Sequence, residues 1–317
     1  MKKVICIGEA LIDWICTDKN VDLSQGQHFI KKAGGAPFNV AIAIARLEGN
    51  AEFFGSVGND PFGKLLKNTL IEEQVLVDNF FTLDHASTTF AFVSLFDNGE
   101  RDFIFQRNAD ALLDFNDLKF SEDEKIWHFG SATGFLEGKL QETYYKTLEF
   151  AKSKGEFISF DPNFRTDLWR NNNQNFIKHS LEFIKKSDFV KMSEEELFLV
   201  IPNKNRAEAV QEVHKMGAKI VVITLGSEGS FLSFETQSEV VPTIKVTPID
   251  TTGAGDAFVG GMLWQISKKL PNDFNTWKEY VSLANIIGAK TTTAYGAIEA
   301  LPKLSEIRRF TSQNIDA

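Results

Sequence analysis

The sequence predicts a doubly wound α/β fold, a mostly parallel sheet carrying a small antiparallel β lid. Three observations predict it. Short β-branched apolar runs alternate with helical stretches of a dozen residues along most of the chain, the pattern of parallel strands covered on both faces. Four short apolar segments lack helices between them and form the lid. The 317 residues are 43% hydrophobic and 24% charged, ordinary for a chain that buries roughly three quarters of its unfolded surface. No repeat or Pro/Gly/Ser linker divides the chain. One domain over 1–317 is expected, with the lid inserted at about 12–33 and 86–108.

The elements follow in order. Residues 4–7 are a β-branched strand ending at Gly8, and 12–17 and 27–32 are the first lid pieces. Residues 36–47 set Phe38, Val40, Ile42, Ile44 and Leu47 among alanines, which suits a buried helix with Pro37 in its first turn. Residues 51–54 read as a strand and 62–73 as a helix. Residues 88–96 alternate, turn at Asp97-Asn98-Gly99, and return through Phe103 and Phe105, a hairpin signal. Strands are expected at 125–129, 156–160, 188–192 and 219–224, with helical segments between. Ser193 followed by Glu196 is a capping box opening a helix straight after a strand. Residues 240–246 look strand-like, and helices follow at 257–268, 274–292 and 305–310.

Charge and composition exclude several classes. The net charge is −9 and no Lys/Arg run exceeds two residues, which argues against nucleic acid and against an anionic membrane surface. No apolar run approaches the ~20 residues of a membrane span. At the N-terminus, Glu9 and Asp13 interrupt any signal-like apolar stretch. Cys6 and Cys16 cannot supply a disulfide framework, so both are expected as buried thiols of a cytoplasmic protein. His28, His85, His128, His179 and His214 lack metal-ligand spacing.

Three glycine-bearing segments carry the chemistry. Asp250-Thr251-Thr252-Gly253-Ala254-Gly255-Asp256 opens an apolar helix. Small residues at 253–255 admit a close ligand, and the free N–H groups of the first turn favour an anion. Asp256 beside that turn has two readings, a general base for an attacking hydroxyl or an N-cap. Ala33-Gly34-Gly35-Ala36-Pro37-Phe38-Asn39 either brings Asn39 to a polyol or is a tight turn with a capping Asn. Thr224-Leu225-Gly226-Ser227-Glu228-Gly229 suits a nucleotide over a sheet edge, or a plain hairpin. Gly58 to Leu65 has P-loop spacing, but Leu65 stands where Ser or Thr must hold Mg²⁺. No long apolar strand is expected before it.

The segments Gly34-Gly35…Asn39 and Asp250 to Asp256 resemble the two signatures of the ribokinase-like sugar kinases, the PfkB family. The resemblance runs from Gly8-Glu9 to Gly296-Ala297. Gln106 to Leu113, and Asp161-Pro162-Asn163-Phe164-Arg165 with Leu168-Trp169, are most similar to the fructokinases within it. Phe38 departs from the Ala frequent in the family, and Lys191 from the Asn of an Asn-x-x-Glu motif.

This resemblance implies ATP-dependent phosphorylation of a sugar hydroxyl, D-fructose to fructose 6-phosphate, with 2-keto-3-deoxygluconate as the alternative substrate. A sugar- or nucleoside-binding protein without chemistry is the contrasting class. The resemblance makes Asp256 the base and the 253–255 backbone (Gly253, Ala254, Gly255) an anion hole. A weak base suffices where the proton leaves late in a loose phosphoryl-transfer transition state. It assigns Asp13, Gly34, Gly35, Asn39, Arg107 and Arg165 to the sugar. Lys191, Glu194, Thr224, Gly226, Gly229 and Asn285 go to the nucleotide. It implies Mg²⁺ with the ATP, a K⁺ held near Asp250, Thr252, Thr291, Ala294 and Gly296, and a homodimer through the lid.

Overall fold

Strands that are apolar on both faces need cover on both faces, and the helices between them supply it. The computed structural model describes residues 1–96, 101–169 and 172–315. In chain order the elements are β1 (Lys3–Ile7), β2 (Leu11–Cys16), β3 (Phe29–Gly34), α1 (Ala36–Arg46), β4 (Ala51–Gly58), α2 (Pro61–Glu72), β5 (Phe80–Leu83), β6 (Thr89–Leu95), β7 (Arg101–Gln106) and β8 (Lys125–Phe129). Then come α3 (Lys139–Ser153), β9 (Phe157–Phe160), α4 (Thr166–Trp169), α5 (Asn173–Ile184), β10 (Phe189–Ser193), α6 (Glu194–Val200), α7 (Arg206–Met216) and β11 (Ile220–Thr224). The last are β12 (Ser230–Phe234), β13 (Gln237–Val241), α8 (Ala254–Lys268), α9 (Phe274–Thr291), α10 (Ala297–Ala300) and α11 (Leu304–Ile315).

The large sheet has the order β13-β12-β11-β10-β9-β8-β1-β4-β5. It is parallel from β11 to β5 and antiparallel at the β12–β13 edge. Alternation along β1 sorts its side chains: Val4 and Cys6 face a core with Phe38, Phe53, Met262 and Trp277. Ile5 and Ile7 face the other core, with Trp127, Phe129, Tyr144 and Phe183. Helices α1, α8 and α9 cover the first face, α3, α5 and α7 the second. Cys6 and Cys16 are buried and unpaired. The Ser193–Glu196 capping box forms in full at the start of α6. Among the described residues no helix is long and apolar enough to cross a membrane.

The small sheet has the order β3-β2-β6-β7. Its two hairpins are antiparallel, and they meet along a parallel seam of β2 on β6. One face packs Trp14 and Phe90 on Phe62 of α2, with centroids 5.8 and 5.1 Å away. The opposite face aligns Asp13, Ala91 and Phe105 in register, with Phe103 and Phe105 stacked at 6.2 Å. The expected turn at Asp97-Asn98-Gly99 lies outside the described residues.

The structure corrects two expectations. The strand-like stretch 240–246 is ladder only as far as Val241, because Pro242 has no N–H to continue the pairing. The Gly58 turn does follow a long apolar strand, since all of β4 is buried. Its conformation is set by Asp60, which accepts from Phe62 N, Gly63 N, Thr88 N and Thr88 Oγ1 and so ties α2 to the start of β6.

Candidate active site

Parallel strands end on one edge of the sheet, and ligands of doubly wound folds bind outside those carboxyl ends. Glu9, Asp161, Glu194 and Gly226 all follow such ends. The turn 253–256 meets them from the far side of the sequence. Gly253, in the left-handed region at φ 78°, is the N-cap of α8 and makes no side-chain cap bond. Asp256 therefore stands three residues into the helix, and its N-cap reading fails. Among the described residues the N–H groups of Gly253, Gly255 and Asp256 find no acceptor in the chain, which leaves a convergent set of donors for an anion.

Asp256 is half-buried. Its Oδ2 accepts from Asn39 Nδ2 at 2.8 Å, joining the two glycine segments. Burial pushes its carboxyl up to about 6, against the pull of the Asn39 hydrogen bond and of Arg165 and Lys191. Asn39 is itself buried, and its Oδ1 has no partner, an acceptor left for a hydroxyl. Asp13 is pushed up to about 7 by burial, with Arg165 opposing. Gly34 makes room for it: a Cβ there would lie 2.2 Å from Asp13 Oδ2. At Gly35, φ is 113° and a Cβ would strike Glu9 O at 2.3 Å. Arg165 is exposed, donating to Phe164 O.

Arg107 is not open to a ligand on every side. Its Nε donates to Asp110 Oδ2 at 3.2 Å, and its terminal nitrogens to Glu137 O and Thr133 O at 2.6 and 3.2 Å. Lys191 is buried on β10 and donates to Asp161 Oδ2 at 2.8 Å. Glu194 is ion-paired through Oε1 with Arg206.

The remaining nucleotide candidates divide. Thr224 ends β11 beside Ser193 and donates to Met192 O at 3.4 Å. Gly226, at φ 59°, has nothing within 4 Å of where a Cβ would be, so it borders open space. Gly229 is glycine for packing, since a Cβ would meet Val241 O at 2.2 Å. The Asn285 side chain is fully engaged inside the protein, with Ser230 Oγ and Val241 O at 2.7 and 2.9 Å. It ties α9 to the β12–β13 hairpin.

Asp250 draws two loops together, accepting from Thr252 N and Oγ1 and from Gly296 N. Thr292 O accepts from Ile249 N and Asp250 N. Thr291 is buried with its hydroxyl on Ile287 O, and Ala294 is exposed. Among the described residues no group of His, Cys, Asp and Glu side chains is arranged to hold a metal ion.

The pfkB family carbohydrate kinase model matches residues 1–304. The chain belongs to the pfkB family. It is 37% identical to probable fructokinase-4 of Arabidopsis thaliana, covering 98% of this chain and 97% of that one. Fructokinase from Vibrio cholerae O395, solved in a fructose, ADP and calcium ion bound form, is similar in structure with a TM-score of 0.85. Its identity is 34%, over 98% of this chain and 99% of that one. Fructokinase from Xylella fastidiosa with bound ATP gives a TM-score of 0.87 at 31% identity, covering 98% of each chain.

As a pfkB kinase the chain is an ATP-dependent carbohydrate kinase, and its site contains groups that the motifs did not single out. Glu9 is buried and accepts from Ala36 N, at the first residue of α1, and from the Ser131 hydroxyl. Asp110 is buried and accepts from Thr89 and Thr133 hydroxyls at 2.5 and 2.9 Å, as well as from Arg107. Thr133 Oγ1 also lies 3.4 Å from Glu9 Oε2. One network thus links β1, α1, the small sheet and the loop after β8. A buried carboxylate demands such donors, but the partners lie up to 124 positions apart in sequence. Among adjacent residues, only the Gly-Glu at the end of the first strand hinted at it. Phe38, the departure from the family pattern, is fully buried and packs on Phe53 at 5.6 Å.

Proposed function

We propose that the chain transfers the γ-phosphoryl group of ATP to D-fructose, giving fructose 6-phosphate. The observation that carries this reading is Asp256, a carboxylate with a raised pKa beside three free N–H groups and bonded to Asn39. The sugar hydroxyl oxygen forms a bond to the γ-phosphorus as the bond from that phosphorus to the β-bridging oxygen breaks. The hydroxyl proton passes to Asp256, and ADP leaves. The free N–H groups of Gly253, Gly255 and Asp256 receive charge on the transferring group, while Ala254 N, expected in the same anion hole, donates to Thr251 O at 3.3 Å. Asp13, Gly34, Gly35, Asn39, Arg107 and Arg165 form the sugar side; Lys191, Glu194, Thr224, Gly226, Gly229 and Asn285 form the nucleotide side, the last two by shaping its wall.

A neutral sugar is favoured over a keto acid because Arg107 already faces Asp110 and is not waiting for a substrate carboxylate. Mg²⁺ would offset phosphate charge; Glu194, which the resemblance ties to it, is ion-paired with Arg206. A K⁺ would be held by main-chain carbonyls near Asp250, Thr252, Thr291, Ala294 and Gly296, because the Asp250 carboxylate is already occupied by three donors. The small sheet acts as the lid, and two copies pack through the face on which Ile30 is exposed. Light scattering should give a dimer; a monomer at all working concentrations overturns that assembly. Two unpaired thiols suit a reducing, cytoplasmic setting.

The test is ATP consumption across fructose, 2-keto-3-deoxygluconate and nucleosides. Fructose should give the highest kcat/KM. A higher value on the keto acid overturns the sugar assignment, and no consumption on any overturns the kinase reading.

A further inference from the structure

Resting on that kinase reading, we propose that Glu9 is a positioning residue: its carboxyl caps α1 from outside the helix and so aims Asn39 at Asp256 and at the sugar. The helix has no cap of its own. Its N-cap, Gly35, makes no side-chain cap bond, and its first turn holds no acidic residue. A side chain at 35 is barred, since φ is 113° and a Cβ would strike Glu9 O. The donor in need of an acceptor is Ala36 N, in a residue only 8% exposed, and an unpaired buried N–H is costly. Glu9 Oε1 takes it at 3.1 Å. One residue thus fixes the turn twice, with its carbonyl against Gly35 and its carboxyl on Ala36.

The carboxyl is itself held in place. Oε1 also accepts from Ala132 N at 3.3 Å, and Oε2 accepts from the Ser131 hydroxyl. Gly8, at φ 145°, lets that loop close on α1: a Cβ there would lie 2.5 Å from Ser131 Cβ and 2.8 Å from Pro37 Cγ. From the cap to the chemistry is a single helical turn. Asn39 N donates to Gly35 O at 2.9 Å, and Asn39 Nδ2 donates to Asp256 Oδ2. Its Oδ1 is the buried acceptor without a partner. A first turn that frays takes both ends of that side chain out of place. The role uses an acceptor and not a charge. Among the described residues no cation pairs with Glu9, and the titratable groups around it are Asp110, Asp13 and Tyr144. Burial pushes the Glu9 carboxyl up against the pull of its hydrogen bonds, and the Asp110 carboxylate adds to the rise. Around Asp256, the Asn39 hydrogen bond, Arg165 and Lys191 lower its pKa, and Asp161 raises it.

Glu9→Ala and Glu9→Gln separate the cap from the charge. Both drop the charge, which lowers Asp13 alike, but only glutamine keeps an oxygen for Ala36 N. Glu9→Ala should raise the fructose KM about tenfold, the scale of one buried hydrogen bond, with the ATP KM within threefold. The acid limb of its kcat/KM for fructose should stand at higher pH than that of Glu9→Gln, because Asp256 has lost the Asn39 bond that lowers its pKa. Glu9→Gln should bring the fructose KM back to within threefold of wild type. Thr143→Val removes a buried hydrogen bond to Leu113 O on the opposite face of the sheet. It controls for lost stability and should move neither the fructose KM nor the limb. A fructose KM within threefold of wild type in Glu9→Ala, or an acid limb there at or below that of Glu9→Gln, overturns the assignment. So does a fructose KM raised tenfold in Glu9→Gln, a result that stands even where the alanine variant does not fold. Amide hydrogen exchange reads the cap without turnover: the Ala36 amide should exchange at least tenfold faster in Glu9→Ala than in Glu9→Gln, and equal rates overturn the cap. If wild type phosphorylates no sugar, the kinase reading falls, while that exchange still judges Glu9.

Discussion

The two halves of the site are built on different principles. On the sugar side, glycine exists to let carboxylates and carbonyls approach: Gly34 clears Asp13, and Gly35 clears the Glu9 carbonyl. The carboxylates there are half-buried, crowded and shifted, with Asp13 at about 7 and Asp256 at about 6. On the nucleotide side, Gly226 faces open space, while Gly229 and Asn285 serve the β12–β13 hairpin. A nucleotide with many charges needs a wall and a few donors. A small neutral sugar must be read by hydroxyls alone, which takes a preorganised cluster. Substitutions at Asp256, Asn39 and Gly34 should therefore act on chemistry and sugar affinity, and those at Gly229 and Asn285 on stability.

Asp256→Asn tests the sugar side most severely. It keeps the shape and leaves Gly253 as the cap, so fold and ATP binding should persist while kcat falls by at least ~10²-fold. In the wild type, kcat/KM should rise with pH through about 6, because the base acts only when ionised and burial has raised its pKa. Turnover near normal in the variant, or a profile flat through that range, removes Asp256 from the role.

Gly34→Ala comes next. The clashing atom is the end of the Asp13 side chain, which can rotate away, so the fold should tolerate the change. The KM for fructose should rise about tenfold, the scale of one good hydrogen bond, with the KM for ATP unchanged. An equal rise in both would erase the difference between the halves.

Arg107→Gln should weaken fructose use by roughly 1 kcal/mol, about fivefold. Its larger effect should be on stability: Asp110, fully buried, loses its cation, a loss of about 3 kcal/mol where a buried pair is broken. Denaturant titration measures it. Unchanged stability with abolished activity on an acidic sugar would restore Arg107 as a carboxylate receptor. Gly226→Ala is the smallest change. A Cβ meets nothing, and only the positive φ costs, about 1 kcal/mol; fructose KM should not move.

Much of this protein is local in origin. Alternation in β1 places Val4 and Cys6 on one core and Ile5 and Ile7 on the other. Ser193 and Glu196 cap α6 from three residues apart, and small residues at 253–255 define the free N–H turn. These are properties of neighbours in the chain, so the sequence by itself determined them. What only the tertiary structure decided is which distant polar groups meet. Strand order sets β9 beside β10 and so Asp161 beside Lys191, and the small sheet brings Arg107 to Asp110, Thr133 and Glu137. Burying the hairpin edge took Gly229 and Asn285 for packing. A buried charge must find its partner wherever the fold brings one, and no local spacing records that choice.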